Sequence, residues 1–599
     1  MITPSESIAV TPMSMSEAKQ PSVNEAIKSR SQHLRGTIAA GLADTATGAI
    51  TEDDQQLLKF HGVYQQDDRD LRAQRRRDKL EKAYSFMVRI RVPGGVLTPA
   101  QWLATDGLAS RFGNGTIKLT TRQTVQLHGI IKGNLKHTIR EIDQAAMDTI
   151  ATCGDVNRNV ICNPNPYLSE VHGEVLGLAR DISNHLTPQT RAYHEIWLED
   201  EKIASSSHED VEPIYGQTYL PRKFKIAIAV PPSNDVDVFA NCLSFIAILE
   251  DGKLAGFNVA IGGGMGVTHG NQATFPRLAD VIGFCTPQQA VEVAEKVVLV
   301  QRDLGDRSDR KHARFKYTVN DHGPAAILAT INHYLGYELG PVRPFVFESN
   351  GDRFGWVEDS NGNSHLTISV QGGRVLDTPS YPLRTGLREI AKVHDGDLRI
   401  TANQNLIIAN VSPARRPRID LLLDKHGITA SHRQNALRLN ALACAALPTC
   451  GLALAEAERY LPALLSELEE LIEEHGLRHD AITLRLTGCP NGCARPFLAE
   501  IGLVGRAPGR YNVYLGGGFA GQRLAKLYRE SVEAPAIRPL LAPLIAHYAR
   551  TRHDGERFGD FCIRAGHVAA TVQGGDFHQN IDPQAFVRTS NAGSSKPIP

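Results

Sequence analysis

The sequence predicts an α+β protein, mixing sheets and helices, built as a pseudo-twofold duplication. Three observations carry this. Short stretches alternate at the two-residue period of strands, as in Met87–Val92, where Val88, Ile90 and Val92 share one face and Arg89 and Arg91 the other. Longer stretches such as Ala453–Glu474 have helical composition, interrupted at Pro462 and followed by Gly476 as a C-terminal cap. Two segments also recur far apart. GTIKLTTRQT (115–124) aligns without gaps to GDLRITANQN (396–405), pairing Lys118 with Arg399 and Gln123 with Gln404, and AIGGGMG (260–266) echoes YLGGGFAG (514–521). Repeats at that separation mean duplicated domains, not a solenoid. Two such halves would hold a bound group where their polar faces meet.

Composition narrows the function. A chain of 599 residues suggests about four domains. The 65 basic residues balance 65 acidic ones, which argues against a nucleic-acid field or an acidic tail. Apolar runs such as Ile226–Val230 are too short to span a bilayer, and the N-terminus lacks a secretory pattern. Nine cysteines without a disulfide-like framework fit a reducing cytoplasm. Residues 1–32, rich in Ser, Thr and Pro, read as a mobile arm, and the tail after about Gly575 as disordered. Residues 61–83 are heavily charged and read locally as a solvated helix face.

The chemistry concentrates in four cysteines, Cys444-x5-Cys450 and Cys489-x3-Cys493, each pair in a turn-forming stretch with Pro448 or with Pro490, Asn491 and Gly492. Four clipped thiolates can hold a tetrahedral zinc or an iron–sulfur cluster. Neither pair has the C-x2-C spacing of a zinc knuckle, and the wider gaps suit a cubane. Buried, unliganded cysteine is the plainer alternative.

Basic residues collect elsewhere. From Thr116 to His128 the odd positions are largely apolar, and the even positions include Lys118, Arg122, Gln126 and His128. That is either a sheet with one wet face or a face that grips carboxylates. Arg158 lies in the Asn/Gly/Pro-rich loop Gly154–Pro166 and reads locally as a surface arginine. Lys223 and Lys225 share a strand face, and two ammonium groups there need solvent or an anion. Arg302, Arg310, Lys311 and Arg314 form a further basic cluster, solvated or carboxylate-binding. The Gly262–Gly266 run lacks G-x-G-x-x-G and a following helix, so it reads as close backbone packing and no nicotinamide or flavin site is expected.

The cysteine spacing, with TGCPNGC (487–493) and EIGLVGRAPGRYNVYLGG (500–517) around the second pair, resembles the sulfite/nitrite reductase family from about His61 to Ala569. That resemblance implies ferredoxin-like half-domains with cofactors at the domain junction. It implies a [4Fe–4S] cluster on Cys444, Cys450, Cys489 and Cys493, with Cys493 also the axial ligand of a siroheme. Lys118, Arg122, Gln126, His128, Arg314 and Asn491 would bind the macrocycle, and Arg89, Arg158, Lys223 and Lys225 would ring the substrate.

The words FHGVYQQDDRD (60–70) are similar to hemoprotein subunits of the NADPH-dependent assimilatory branch. This implies six-electron reduction of sulfite to sulfide, in sulfate assimilation and cysteine biosynthesis. NADPH, FAD and FMN would then act only through a flavoprotein (alpha) subunit in a hetero-oligomer, engaged by the N-terminal region. Ferredoxin-dependent nitrite reductases commonly carry a neutral residue in place of Lys225, so a full set of cations favours sulfite. A ferredoxin-dependent sulfite or nitrite reductase, a zinc-organised scaffold and an electron carrier without siroheme are the competing readings. The domains expected are 1–80 (arm and partner-binding segment), 81–152 with 350–428 (duplicated half-domains), 153–349 (first siroheme and substrate domain), 429–575 (cluster and siroheme domain) and 576–599 (tail).

Overall fold

The computed structural model describes residues 20–165, 169–189, 212–428 and 433–578. The first eleven strands are β1 (Val63–Asp67), β2 (Tyr84–Ile90), β3 (Val96–Leu97), β4 (Ile117–Leu119), β5 (Val125–Ile130), β6 (Ile161–Cys162), β7 (Ile226–Ala229), β8 (Leu243–Glu250), β9 (Lys253–Ile261), β10 (Asp280–Cys285) and β11 (Gly355–Glu358). The rest are β12 (Ser364–Ile368), β13 (Arg374–Val375), β14 (Asp377–Thr378), β15 (Tyr381–Pro382), β16 (Asp397–Ile400), β17 (Leu406–Val411), β18 (Ala441–Ala443), β19 (Leu484–Thr487), β20 (Ile501–Ala507), β21 (Arg510–Leu515) and β22 (Lys526–Glu533).

The sheets come in matched pairs. One has the order β1-β2-β5-β4-β13 and its twin β11-β12-β17-β16-β3. Each takes its last strand from the other half: β13 pairs with β4, and β3 with β16. The other two sheets, β10-β9-β8-β7-β6 and β22-β21-β20-β19-β18, share one topology. In both, three parallel strands (β6, β7, β8 or β18, β19, β20) are followed by two antiparallel ones.

The strand exchange has a local cause. Gly95 (φ 80°) and Gly373 (φ 72°) bring the crossing chain so close that a Cβ on either would lie 2.4 Å from a carbonyl oxygen, of Ile400 or Leu119. Only glycine fits there. The paired glutamines of the repeat latch the crossing, both in left-handed backbone (φ 53° and 67°). Gln123 donates to the Ile400 and Cys162 carbonyls at 2.9 Å, and Gln404 to those of Gly372 (3.3 Å) and Leu119 (3.4 Å).

Two apolar cores result, one drawn from residues 27–428 and one from 437–568, with a small cluster including Met265, Val267, Phe497 and Leu498 between them. Otherwise the junction is polar. Each Gly-rich loop packs on a turn of the opposite half: the Val267 N–H donates to Pro490 O (2.9 Å), and Asn234 Nδ2 to Ala520 O (2.7 Å). Buried Asp237 takes Arg485 (2.6 and 3.2 Å) and Arg495 together. Among the described residues, no helix is long and apolar enough to cross a membrane.

Several elements differ from expectation. Of the arm expected over 1–32, residues 1–19 lie outside the described residues, but Val23–Ser29 is a docked helix. Ile27 joins the core, and Lys28 pairs with Glu25 (2.5 Å) and donates to Leu220 O (2.8 Å). Within 61–83 the charges hide a strand, because β1 pairs along β2; only Arg72–Arg77 is helical, with no buried residue. Pro462 does not interrupt a helix. It sits in the first turn of Leu461–Glu474, where its missing N–H costs nothing. Phe577 stacks on Tyr514 (5.0 Å between centroids), so the chain is ordered to His578; residues 579–599 lie outside the described residues.

Candidate functional site

The cysteine pairs meet because β18 and β19 are adjacent and parallel. Cys444 directly follows β18, and Cys489 follows β19 after one residue, so both leave the same sheet edge. Backbone donors face the sulfurs. The Gly488 N–H reaches Cys444 Sγ at 3.3 Å, Leu452 and Ala453 N–H bond to Cys450, and both the N–H and the side chain of Asn491 bond to Cys489. Burial, then the charge of Cys493, pushes Cys444 well up, Cys489 to about 12 and Cys450 up. Four thiolates are therefore tolerable only around a cationic group. Among the described residues, no three His, Cys, Asp or Glu side chains gather closely enough for one metal ion. Four soft sulfur donors leaving one sheet edge suit an iron–sulfur cluster. Cys493 has the most exposed side chain of the four.

The stretch from Thr116 to His128 is a hairpin, not one strand. Residues Thr120–Thr124 turn between β4 and β5, which divides the even positions into two groups. Arg89, Gln126, Lys118 and Arg374 lie in register across β2, β5, β4 and β13. Lys118 is spent internally: it pairs with Glu458 and donates to Gly372 O, and Glu458 also takes Arg374 (2.5 Å). His128 is buried between Gln126 (3.2 Å) and Gln66 (3.3 Å). Burial, then Arg374, Lys118 and Arg89, keep it neutral. With its carboxamide oxygen toward Arg89, Gln126 accepts from Nε at 3.0 Å. Gln126 thus backs Arg89 directly, His128 is tied to the two glutamines, and Lys118 is neutralised by Glu458.

Arg122 instead reaches across from the turn to Asn241 Oδ1 (2.7 Å) and to the carbonyls of Asn159 (2.5 Å) and Ile226 (2.9 Å). Its Nε is buried without a partner. The Thr121 hydroxyl, assigned by alternation to the apolar face, donates to Cys493 O at 3.0 Å. Arg89 donates to Cys153 Sγ at 2.9 Å and lies 5.9 Å from the Tyr64 ring centre. Arg158 is held by the carbonyls of Gly154 (2.7 and 3.0 Å) and Thr152 (3.2 Å).

Lys223 and Lys225 are half-buried, and no hydrogen-bond acceptor or carboxylate pairs with either among the described residues. Burial, then Arg314 and Arg122, lowers Lys225 to about 7. Burial, then Arg222, Arg314, Lys225 and Arg158, lowers Lys223 well below the usual range. Arg314 lies against the Gly-rich loop, where a Cβ on Gly264 or Gly266 would come within 2.7 or 3.0 Å of it. Its Nε and Nη2 are buried and unpartnered. Of the basic cluster around it, Arg310 is taken by Asp155 and Arg302 by Asp303 and Ile214 O, and Lys311 is exposed. Of this cluster, Arg314 alone keeps buried donors without a partner among the described residues.

Arg122, Arg158, Lys223, Lys225 and Arg314 therefore influence one another across one junction, and Cys493 acts on Lys225. Buried guanidinium donors without partners, and ammonium groups without an anion, fit a polycarboxylate macrocycle. Sequence reasoning missed Arg495, which donates to Thr121 O (3.1 Å) and Ala402 O (2.9 Å) and so ties the second cysteine loop to both repeat turns. Its place two residues after Cys493 was the available signal. Lys316, which donates to Gly266 O (2.8 Å), and Asp237 had none, because their partners are distant in sequence.

Comparison with known proteins agrees with this geometry. The family described as "Nitrite and sulphite reductase 4Fe-4S domain" matches residues 179–339. "Nitrite/Sulfite reductase ferredoxin-like half domain" matches residues 78–145 and 357–426. The first match covers the half without the four cysteines, as expected for a duplicated domain. A protein of Geobacillus kaustophilus named sulfite reductase (NADPH) hemoprotein beta-component is 61% identical over 560 residues, covering 93% of this chain and 98% of that one. The proteins of the same name from Anoxybacillus flavithermus and Bacillus subtilis are 60% and 57% identical over 558 residues, with the same coverage. The solved structure of Mycobacterium tuberculosis NirA protein superposes with a TM-score of 0.75 at 26% identity, covering 91% of this chain and 97% of that one. The chain belongs to the nitrite and sulfite reductase family, in the branch of the NADPH-dependent sulfite reductase hemoprotein beta-components.

Proposed function

We propose that this chain is the catalytic component of an assimilatory sulfite reductase, reducing sulfite to sulfide with six electrons at a siroheme coupled to a [4Fe–4S] cluster. The observation that carries this reading is the meeting of four thiols with buried cations that lack anionic partners. Cys444, Cys450, Cys489 and Cys493 would hold the cluster, and Cys493 would also serve the siroheme. Arg122 and Arg314 would hold macrocycle carboxylates, Asn491 supports the Cys489 sulfur, and Gln126, itself bonded to His128, fixes Arg89 from behind. When bound, the paired centre supplies single electrons, which no side chain can do.

The chain's own part is electrostatic. Arg89, Arg158, Lys223 and Lys225 hold the anion, and carbonyl, thiol and carboxamide contacts set the orientation of the two arginines before it arrives. Lys225 Nζ, lowered to about 7, releases a proton readily near neutral pH. The beta-component name of the relatives supports a separate alpha flavoprotein as electron donor, hence a hetero-oligomer. Nine free cysteines support a reducing, cytoplasmic setting.

The test is the visible spectrum and the iron and labile-sulfide content of the purified protein, with turnover on reduced methyl viologen. A colourless zinc protein would leave only the scaffold reading, and a cluster without tetrapyrrole only the carrier reading. Substrate preference has its own test. Lys225→Asn is expected to lower turnover about 100-fold on sulfite and about 10-fold on nitrite, because the bulkier, more charged anion depends more on the full cation set. Equal losses would remove the argument for sulfite.

A further inference from the structure

One carboxylate outside the substrate ring touches the segments that carry Arg158, Lys223, Lys225 and Arg314. Asp155 is buried (3% exposed) at the start of the loop bearing Arg158. It takes Arg310 in a bidentate pair (2.7 and 3.0 Å), with Arg222 and Lys28 each at 3.8 Å. Arg310 lies four residues before Arg314, Arg222 one before Lys223, and Asp155 three before Arg158. Lys28 belongs to the docked N-terminal helix, where Glu25 holds it (2.5 Å) together with Arg307 (2.5 Å). Backbone bonds join the same pieces: Leu220 N–H to Asp155 O, Phe224 N–H to Val156 O, and Arg158 N–H to Phe224 O, each at 3.0 Å.

We propose that Asp155 is a positioning residue for sulfite reduction, setting the convergence of Arg158, Lys223 and Arg314 and coupling it to the N-terminal helix. The inference rests on the function proposed above. Its physical basis is charge balance. Arg222, Arg310, Lys28 and the nearby Lys59 would repel one another, and the carboxylate lets them pack. Burial alone would raise the Asp155 pKa, yet Arg310, Lys28 and Arg222 hold it at about 2, so the anion persists at neutral pH. The bidentate fork with Arg310 fixes direction as well as distance. Without it, three backbone segments lose their common anchor, and the cations they carry no longer meet at one point.

The test uses full-length protein carrying its cofactors. In Asp155→Asn, the sulfite KM is expected to rise at least about five-fold, with turnover counted per siroheme, and Asp155→Glu should restore most of the loss. Equilibrium titration of sulfite by the visible spectrum should show the same loss of affinity. Hydrogen exchange of the Arg158 and Phe224 amides should speed up in the variant with and without bound cofactors, a readout independent of turnover. Unchanged KM and exchange, or equal damage in Asn and Glu variants, would overturn the proposal. If Asp155→Asn does not fold, Arg310→Lys keeps the charge and loses the fork. It should raise KM in the same direction, and an unchanged KM there would equally overturn it. A wild-type protein that neither binds sulfite nor turns it over would instead sink the function itself.

Discussion

Cys493→Ser is expected to lower sulfite-to-sulfide turnover by about 100-fold or more, while the other three cysteines keep their contacts. The expectation follows from the place of this residue. Cys444, Cys450 and Cys489 receive backbone N–H bonds at their sulfurs and lie half-buried or buried. Cys493 is exposed toward the junction, its carbonyl held by Thr121 and its loop by Arg495. A serine hydroxyl is a poor substitute for a soft thiolate. The variant should therefore separate the two centres electronically, visible as an altered heme spectrum at unchanged protein fold. Full six-electron activity in this variant would mean that the shared sulfur is assigned to the wrong residue.

Asp237→Ala should destabilise the protein by about 3–5 kcal/mol, because it leaves Arg485 and Arg495 buried without an anion. Burial works against the ionised Asp237, but Arg485 and then Arg495 outweigh it and hold its pKa below the usual value. Its contribution is therefore complete above about pH 4 and lost only as pH falls through the depressed pKa. Because Arg495 also ties both repeat turns to the second cysteine loop, the damage should reach the metal centre. The expected result is a lower denaturation midpoint together with reduced iron content. An unfolding free energy within about 1 kcal/mol of wild type would show that solvent or another group neutralises the two arginines.

How far the site could be read beforehand depends on where each residue's partner lies. The cysteines were legible because spacing alone restricts what four thiolates can hold, and nothing near Cys444 or Cys489 competes for them. Arg314 and Lys225 were legible as cations, and the fold leaves them unpaired. Lys118 was equally legible as a cation and does something else, since Glu458, 340 positions away, neutralises it. Arg310 was diverted in the same way by Asp155. A basic residue announces its charge in sequence, but its freedom to bind a ligand is decided by distant carboxylates.

The strand alternation had a similar limit. It placed Lys118 and Gln126 on one face correctly, because they sit opposite each other in the hairpin. It misplaced Thr121, because a turn with left-handed Gln123 breaks the two-residue period.

By itself the sequence determined the duplication, the two close cysteine pairs and the local clusters of basic residues, since each follows from local pattern or residue chemistry. The tertiary structure alone decided the exchange of β3 and β13 between halves, the buried Asp237 link, the pairing of Asp155 with Arg310, and which cations are left unpaired among the described residues. The reason is the range of the forces. Backbone preference and ligand hardness act within a few residues, whereas desolvation and charge pairing act between whichever groups folding brings into contact.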